Sequence, residues 1–114
     1  MNSIDRNELA ALLDSDAEVV LLEALPEKYY REGHLPRAVP MPHDRVDELA
    51  AIRAPDRDAD VVVYCASDTC QNSAIAADRL RELGYGRVRV YAGGKADWVA
   101  AGLAVEAALV PDPG

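Results

Sequence analysis

Two cysteines, Cys65 and Cys70, stand five positions apart in an otherwise polar stretch, Cys65-Ala66-Ser67-Asp68-Thr69-Cys70-Gln71-Asn72-Ser73. The run before it, Val61-Val62-Val63-Tyr64, is short and apolar, as expected of a strand covered on both faces. The run after it places Ala76, Ala77, Leu80 and Leu83 on one helical face and stops at Gly84. Cys65 therefore belongs at the carboxyl end of a strand and beside the start of a helix, where open parallel sheets bind ligands. A helix start offers unpaired N–H groups and a partial positive charge. Both favour thiolate over thiol, which lowers a cysteine pKa and makes the sulfur a nucleophile. A loop curled round the sulfur adds further donors, a nest for an anion. The loop's side chains are too polar to seal a core, so Cys65 is expected to be reached by water.

Within one curling loop, Cys65 and Cys70 can approach disulfide distance. Two readings of Cys70 follow. It exchanges with Cys65 as a second reactive thiol, or it is a small residue near the helix start. Asp68 sets a negative charge beside the sulfur, and a like charge within about 4–6 Å opposes both thiolate formation and an approaching dianion. His34 and His43 are the only histidines, and their spacing from the cysteines is not that of a metal pair, so no metal is expected. No cofactor is expected either.

The elements that must position this loop alternate short apolar runs with amphipathic stretches, the pattern of βαβ units around a parallel sheet. A first helix is predicted from Asp5, with Glu8 completing a capping box, Ile4 stapling onto Leu9, and Leu9, Leu12 and Leu13 buried. Val19–Leu22 reads as a covered strand. A short helix over Glu27–Glu32 follows Pro26. From Gly33 to Pro42 three prolines favour extended chain. A helix from Asp44 buries Val46, Leu49 and Ala50. Val88–Tyr91 is the last strand, Gly93-Gly94 turns the chain, and a final helix directs Trp98 and Ala101 inward before Gly102. The expected fold is α/β, a central parallel sheet with helices on both faces, as one domain over residues 1–108 with a tail at 109–114.

At 114 residues the chain suits one domain, and half of it is apolar. A net charge of −8 argues against nucleic acid and against an anionic membrane surface. No apolar run is long enough for a membrane span, and the N-terminus has no secretory pattern, so a cytoplasmic address is expected. Thiols stay reduced there, which makes the cysteines reactive groups rather than a structural cross-link.

Three segments together resemble the rhodaneses, the sulfurtransferase family. Asp60–Cys65 with its loop and the helix ending Glu82-Leu83-Gly84-Tyr85 resembles the catalytic half of that family. Val88-Arg89-Val90-Tyr91-Ala92-Gly93-Gly94 with Asp97-Trp98 is similar to its closing strand, Gly-Gly turn and Trp. Gly33-His34-Leu35-Pro36-Arg37-Ala38 is similar to its Gly-His-[Ile/Leu]-Pro-Gly-Ala signature. The resemblance implies a sulfurtransferase or persulfide carrier: Cys65 takes sulfur from a small-molecule or protein donor and passes it to a thiol or cyanide. Ala66, Ser67, Asp68, Thr69 and Cys70 would line the persulfide, and Cys70 would either resolve it, releasing sulfide and leaving a disulfide, or be a small residue near the helix start. Lys95, after the Gly-Gly turn, is read either as a compensating cation or as a solvated lysine. His34 is read either as a general base or, as the resemblance implies, as a structural residue of its turn; Trp98 is read as a core residue rather than a substrate contact. Glu23 stands near the family's Asp-Arg pair without the Arg, and Arg37 replaces a Gly where a left-handed turn is expected. The loop departs from the family in lacking an Arg and in being about two residues longer. Poor use of thiosulfate is therefore expected, as is a low-charge donor. The rival reading is a rhodanese-fold redox-sensing or interaction module without turnover; a phosphatase or arsenate reductase needs an Arg that the loop lacks.

Overall fold

The computed structural model describes residues 3–15 and 18–106. Helix α1 (Arg6–Asp14) starts where its cap dictates: Glu8 N–H donates to Asp5 Oδ1 at 2.8 Å, and Asp5 N–H donates to Glu8 Oε1 at 3.2 Å. Such a cap contributes about 1 kcal/mol. Strand β1 (Val19–Glu23) follows, then α2 (Glu27–Glu32), β2 (Ala38–Pro40), α3 (Val46–Arg53), β3 (Asp60–Tyr64), α4 (Asn72–Glu82), β4 (Val88–Tyr91) and α5 (Gly94–Ala100). The strands form one parallel sheet in the order β2-β1-β3-β4.

Alternation along the strands splits the core into two layers, as a pleated strand requires. Val61 and Val63 pack with Leu22 against Val46, Leu49 and Ala50 of α3 and Ala76, Ala77 and Leu80 of α4. Val62 and Tyr64 pack on the other face with Leu21, Ile4, Leu9 of α1 and Trp98 of α5. Helices thus cover both faces. No helix among the described residues is long and apolar enough to cross a membrane.

Two expectations change. The segment expected only to be extended contains a fourth strand, β2, which pairs Ala38 with Leu21 and Pro40 with Glu23. It tolerates Pro40 because it is an edge strand, paired with β1 along one edge and with no strand among the described residues along the other. Ala101 is exposed, not inward, because α5 ends at Ala100 and the chain then turns at Gly102. Arg37 holds φ 71°, the left-handed conformation expected there, and is the one non-glycine among the described residues to do so. The tail expected at 109–114 lies outside the described residues.

Candidate active site

The sheet order makes β1 and β3 neighbours from which the chain departs in opposite directions, and their carboxyl ends form the crevice where such sheets hold ligands. Cys65 follows β3 directly, at that crevice. Its backbone is fixed from α5: Lys95 N–H donates to Cys65 O at 2.9 Å and Ala96 N–H donates to Ala66 O at 2.8 Å. Gly94 makes this approach possible. A Cβ there would lie 2.6 Å from Cys65 O and 2.9 Å from Ser67 N, and its φ is +68°. The Gly93-Gly94 turn and the cysteine loop are therefore one packed unit, joined backbone to backbone.

The loop then closes on itself. Cys70 N–H donates to Ser67 O at 3.1 Å, and the Ser67 and Thr69 hydroxyls pair at 3.0 Å. This turn brings Cys70 back beside Cys65, with 6.3 Å between their Cα atoms, and the two sulfurs are joined as a disulfide. Cys70 is separated from the start of α4 at Asn72 by the N-cap residue Gln71 alone, and the first turn has no side-chain cap.

Ala66, Asp68 and Thr69 are exposed, and Ser67 and Cys70 are half-buried, so the loop is wet as its composition suggests. Cys65 is not: it is 1% exposed. No N–H among the described residues donates to its sulfur. The expectation of a water-facing, amide-cradled Cys65 thus does not describe this bridged state. Its side chain continues the buried layer of β3, and the disulfide turns its sulfur toward Cys70 rather than toward the loop amides.

Ser67 and Asp68 line a cavity of 290 Å³ with Gly93, Ala96 and Asp97. Its walls carry two carboxylates and no cation. Asp97 is held by Arg6 at 3.0 Å and accepts from the Tyr91 hydroxyl at 2.6 Å. Burial, then Asp97, raise the Tyr91 pKa. Lys95 reaches the loop with its backbone, but its ammonium turns away. Nζ lies 3.1 Å from Glu23 Oε1 and donates to Tyr29 O at 3.0 Å.

Glu23, noted in the sequence only for a missing Arg partner, finds other partners here. It ends β1, is fully buried, and accepts from the Tyr64 hydroxyl at 2.6 Å. Tyr64 in turn accepts from Leu35 N–H at 3.1 Å. Burial, then the Glu23 charge, push the Tyr64 pKa well above its usual value. The register sets Glu23 directly opposite Tyr64. An acidic residue closing an otherwise apolar strand was the available signal. The result is a Lys95–Glu23–Tyr64 chain, with Glu23 and Tyr64 buried and Lys95 half-buried, that ties α5, β1 and β3 together.

His34 is structural. Its Nδ1 sits 2.9 Å from Tyr30 O, its ring stacks on Tyr30 at 3.8 Å, and its backbone bridges Glu106. Trp98 is a core residue whose indole N–H donates to Ala104 O at 2.9 Å. Among the described residues no cluster of three or more His, Cys, Asp or Glu could hold a metal ion.

Comparison with known proteins finds relatives of the same fold. The chain is 31% identical over 106 residues to the HTH-type transcriptional regulator Rv0324 of Mycobacterium tuberculosis, a match over 92% of this chain and 45% of the regulator. It superposes on a crystal structure of thiosulfate sulfurtransferase from Pseudomonas aeruginosa with a TM-score of 0.83 and 28% identity, covering 94% of this chain and 20% of that one. It superposes on the solution structure of the rhodanese-like domain of the Anabaena sp. Alr3790 protein with a TM-score of 0.82 and 25% identity, covering 100% of this chain and 84% of that one. The chain thus spans less than half of the regulator and a fifth of the sulfurtransferase. The family model "Rhodanese-like domain" matches residues 5–101, from the cap of α1 to the end of α5, and the chain belongs to that family.

Proposed function

We propose that this domain is a sulfurtransferase or persulfide carrier in which reduced Cys65 accepts a sulfane sulfur and passes it to a thiol or to cyanide. The observation that carries this reading is the placement of Cys65 at the β1/β3 crevice, ahead of an uncapped helix start. Reduction frees the sulfur from Cys70. The first-turn amides of α4 and the loop amides from Ala66 to Thr69 would then be the donors available to an anionic sulfur, a form of electrostatic stabilisation by fixed dipoles. A persulfide stores the sulfur in an electrophilic form, so transfer requires only approach and attack by the acceptor.

The charges favour a donor of low charge. Asp68 and Asp97 line the cavity, Lys95 is paired with buried Glu23, and no lining residue offers the bidentate grip that an oxyanion takes from Arg. A glutathione-type or protein persulfide fits this wall better than thiosulfate. The test is steady-state sulfur transfer to cyanide by fully reduced protein, with glutathione persulfide and thiosulfate compared. Turnover with the persulfide and its loss in Cys65→Ser are expected. Equal turnover by Cys65→Ser would remove Cys65 from the chemistry.

A second reading is favoured by the disulfide itself and by likeness to a transcriptional regulator: a redox-sensing module without turnover. A reduced Cys65 that titrates near the ordinary thiol value of about 8.5 and takes up no sulfur would select it.

A further inference from the structure

We infer that Cys70 is a resolving thiol, so that the domain reduces a sulfane sulfur to sulfide as well as carrying it. This rests on the proposed Cys65 persulfide and assigns the fate of its outer sulfur.

Three observations carry it. First, the native fold accommodates a bond between the two sulfurs with both core layers intact. The 6.3 Å between the Cα atoms lies inside the range that a disulfide spans, roughly 4.4–6.8 Å. Second, the positioning is built in. The Ser67 O to Cys70 N turn closes the loop, while Lys95 and Ala96 of α5 hold the two carbonyls at its base. Two thiols so placed react at an effective concentration far above that of any solution thiol. Third, the cysteines differ in access: Cys65 is buried and Cys70 half-buried. The inner sulfur of a Cys65 persulfide is therefore screened from bulk thiols on the side where Cys70 touches it. Cys70 also lies just before the first turn of α4, where the partial positive charge of the helix favours its thiolate.

The step balances without an outside oxidant. The Cys70 thiolate attacks the inner sulfur, Sγ of Cys65, and the Sγ–Sγ bond forms as the bond to the outer sulfur breaks. The outer sulfur leaves with the electron pair as hydrosulfide. The two cysteines are oxidised to the disulfide, and the sulfane sulfur is reduced to the sulfide level. Two equivalents of a low-molecular-weight thiol reset the loop. The first attacks the accessible Cys70 sulfur and expels the Cys65 thiolate, and the second releases Cys70 as the thiols leave as their own disulfide.

The test is a single turnover under anaerobic conditions, so that the donor is the sole oxidant. Reduced protein, freed of reductant, receives one equivalent of glutathione persulfide; intact mass and released sulfide are followed together for wild type, Cys70→Ser and Cys65→Ser. Wild type is expected to release roughly one sulfide per chain and to end two hydrogens lighter, as the disulfide. Cys70→Ser is expected to keep one added sulfur and to release sulfide at least about tenfold more slowly, and Cys65→Ser to do neither. Wild type that retains the added sulfur, or Cys70→Ser that releases sulfide as fast as wild type, overturns the resolving role and leaves the Cys65 persulfide standing. Failure of Cys70→Ser to gain sulfur at all overturns the persulfide itself, and the resolving step with it.

Discussion

Gly94→Ala separates what the Gly-Gly turn does for the loop from what glycine does for any left-handed turn. A non-glycine residue in the left-handed region costs about 1–2 kcal/mol. At Gly94 a second cost adds to it. The new Cβ would stand 2.6 Å from Cys65 O and 2.9 Å from Ser67 N, both backbone atoms that cannot swing aside. Relief requires α5 to draw back from the loop, which loosens the hydrogen bonds from Lys95 N–H and Ala96 N–H. Each is worth about 0.5–1.5 kcal/mol net. The total is about 2–5 kcal/mol. Gly102 provides the control: its φ is +79°, and nothing lies within 4 Å of a Cβ built there. Gly102→Ala should therefore cost only the conformational part, about 1–2 kcal/mol. Urea unfolding of the reduced proteins measures both, and equal denaturant slopes are needed for the comparison. A Gly94→Ala midpoint no lower than that of Gly102→Ala would refute the backbone-to-backbone contact between turn and loop.

Other outcomes follow from the same contacts. Lys95→Met leaves Glu23 buried without its cation, at a cost of about 2–4 kcal/mol in urea unfolding, since breaking one side of a buried pair is worse than replacing both. Adding Glu23→Gln should recover part of that loss, and a fully additive double variant would mean that the pair is not coupled. Stability should fall as pH rises above about 10, because the folded state holds the Tyr64 proton above the pKa at which the unfolded chain releases it. Tyr64→Phe should flatten that alkaline slope, and a slope unchanged in this variant would point to other tyrosines. Asp68→Asn should raise the rate with thiosulfate relative to glutathione persulfide severalfold by removing a like charge from the cavity wall. An unchanged ratio would show that the loop charge does not select the donor.

Much of the fold was legible because its signals are local. The Asp5–Glu8 box, the apolar runs Val19–Leu22 and Val61–Tyr64, and Gly84 each state one element's identity or end. Strand β2 was not legible, because three residues among prolines carry no period and become a strand only by pairing with β1. The site divides in the same way. The position of Cys65 follows from a strand and a helix that flank it in sequence. The exposure of its sulfur does not, because a polar loop predicts wet neighbours but not where one side chain at a strand end turns. Lys95 stood open between a cation for the loop and a solvated lysine; its N–H serves the loop, while its ammonium answers a carboxylate 72 positions earlier in sequence. The Glu23–Tyr64 bond spans 41 positions and exists because the β1–β3 register sets those residues opposite each other. Partners chosen by sheet register leave no mark in local spacing.

The proposed chemistry meets its most direct test at one peptide. In reduced Cys70→Ser protein, the tryptic segment from Asp58 to Arg79 holds Cys65 as its one thiol. After one equivalent of a sulfane-sulfur donor, alkylation and digestion, mass spectrometry of that segment should find one additional sulfur on Cys65. A segment recovered with Cys65 as the plain alkylated thiol, under conditions where the donor remains intact, would contradict sulfur carriage by this domain.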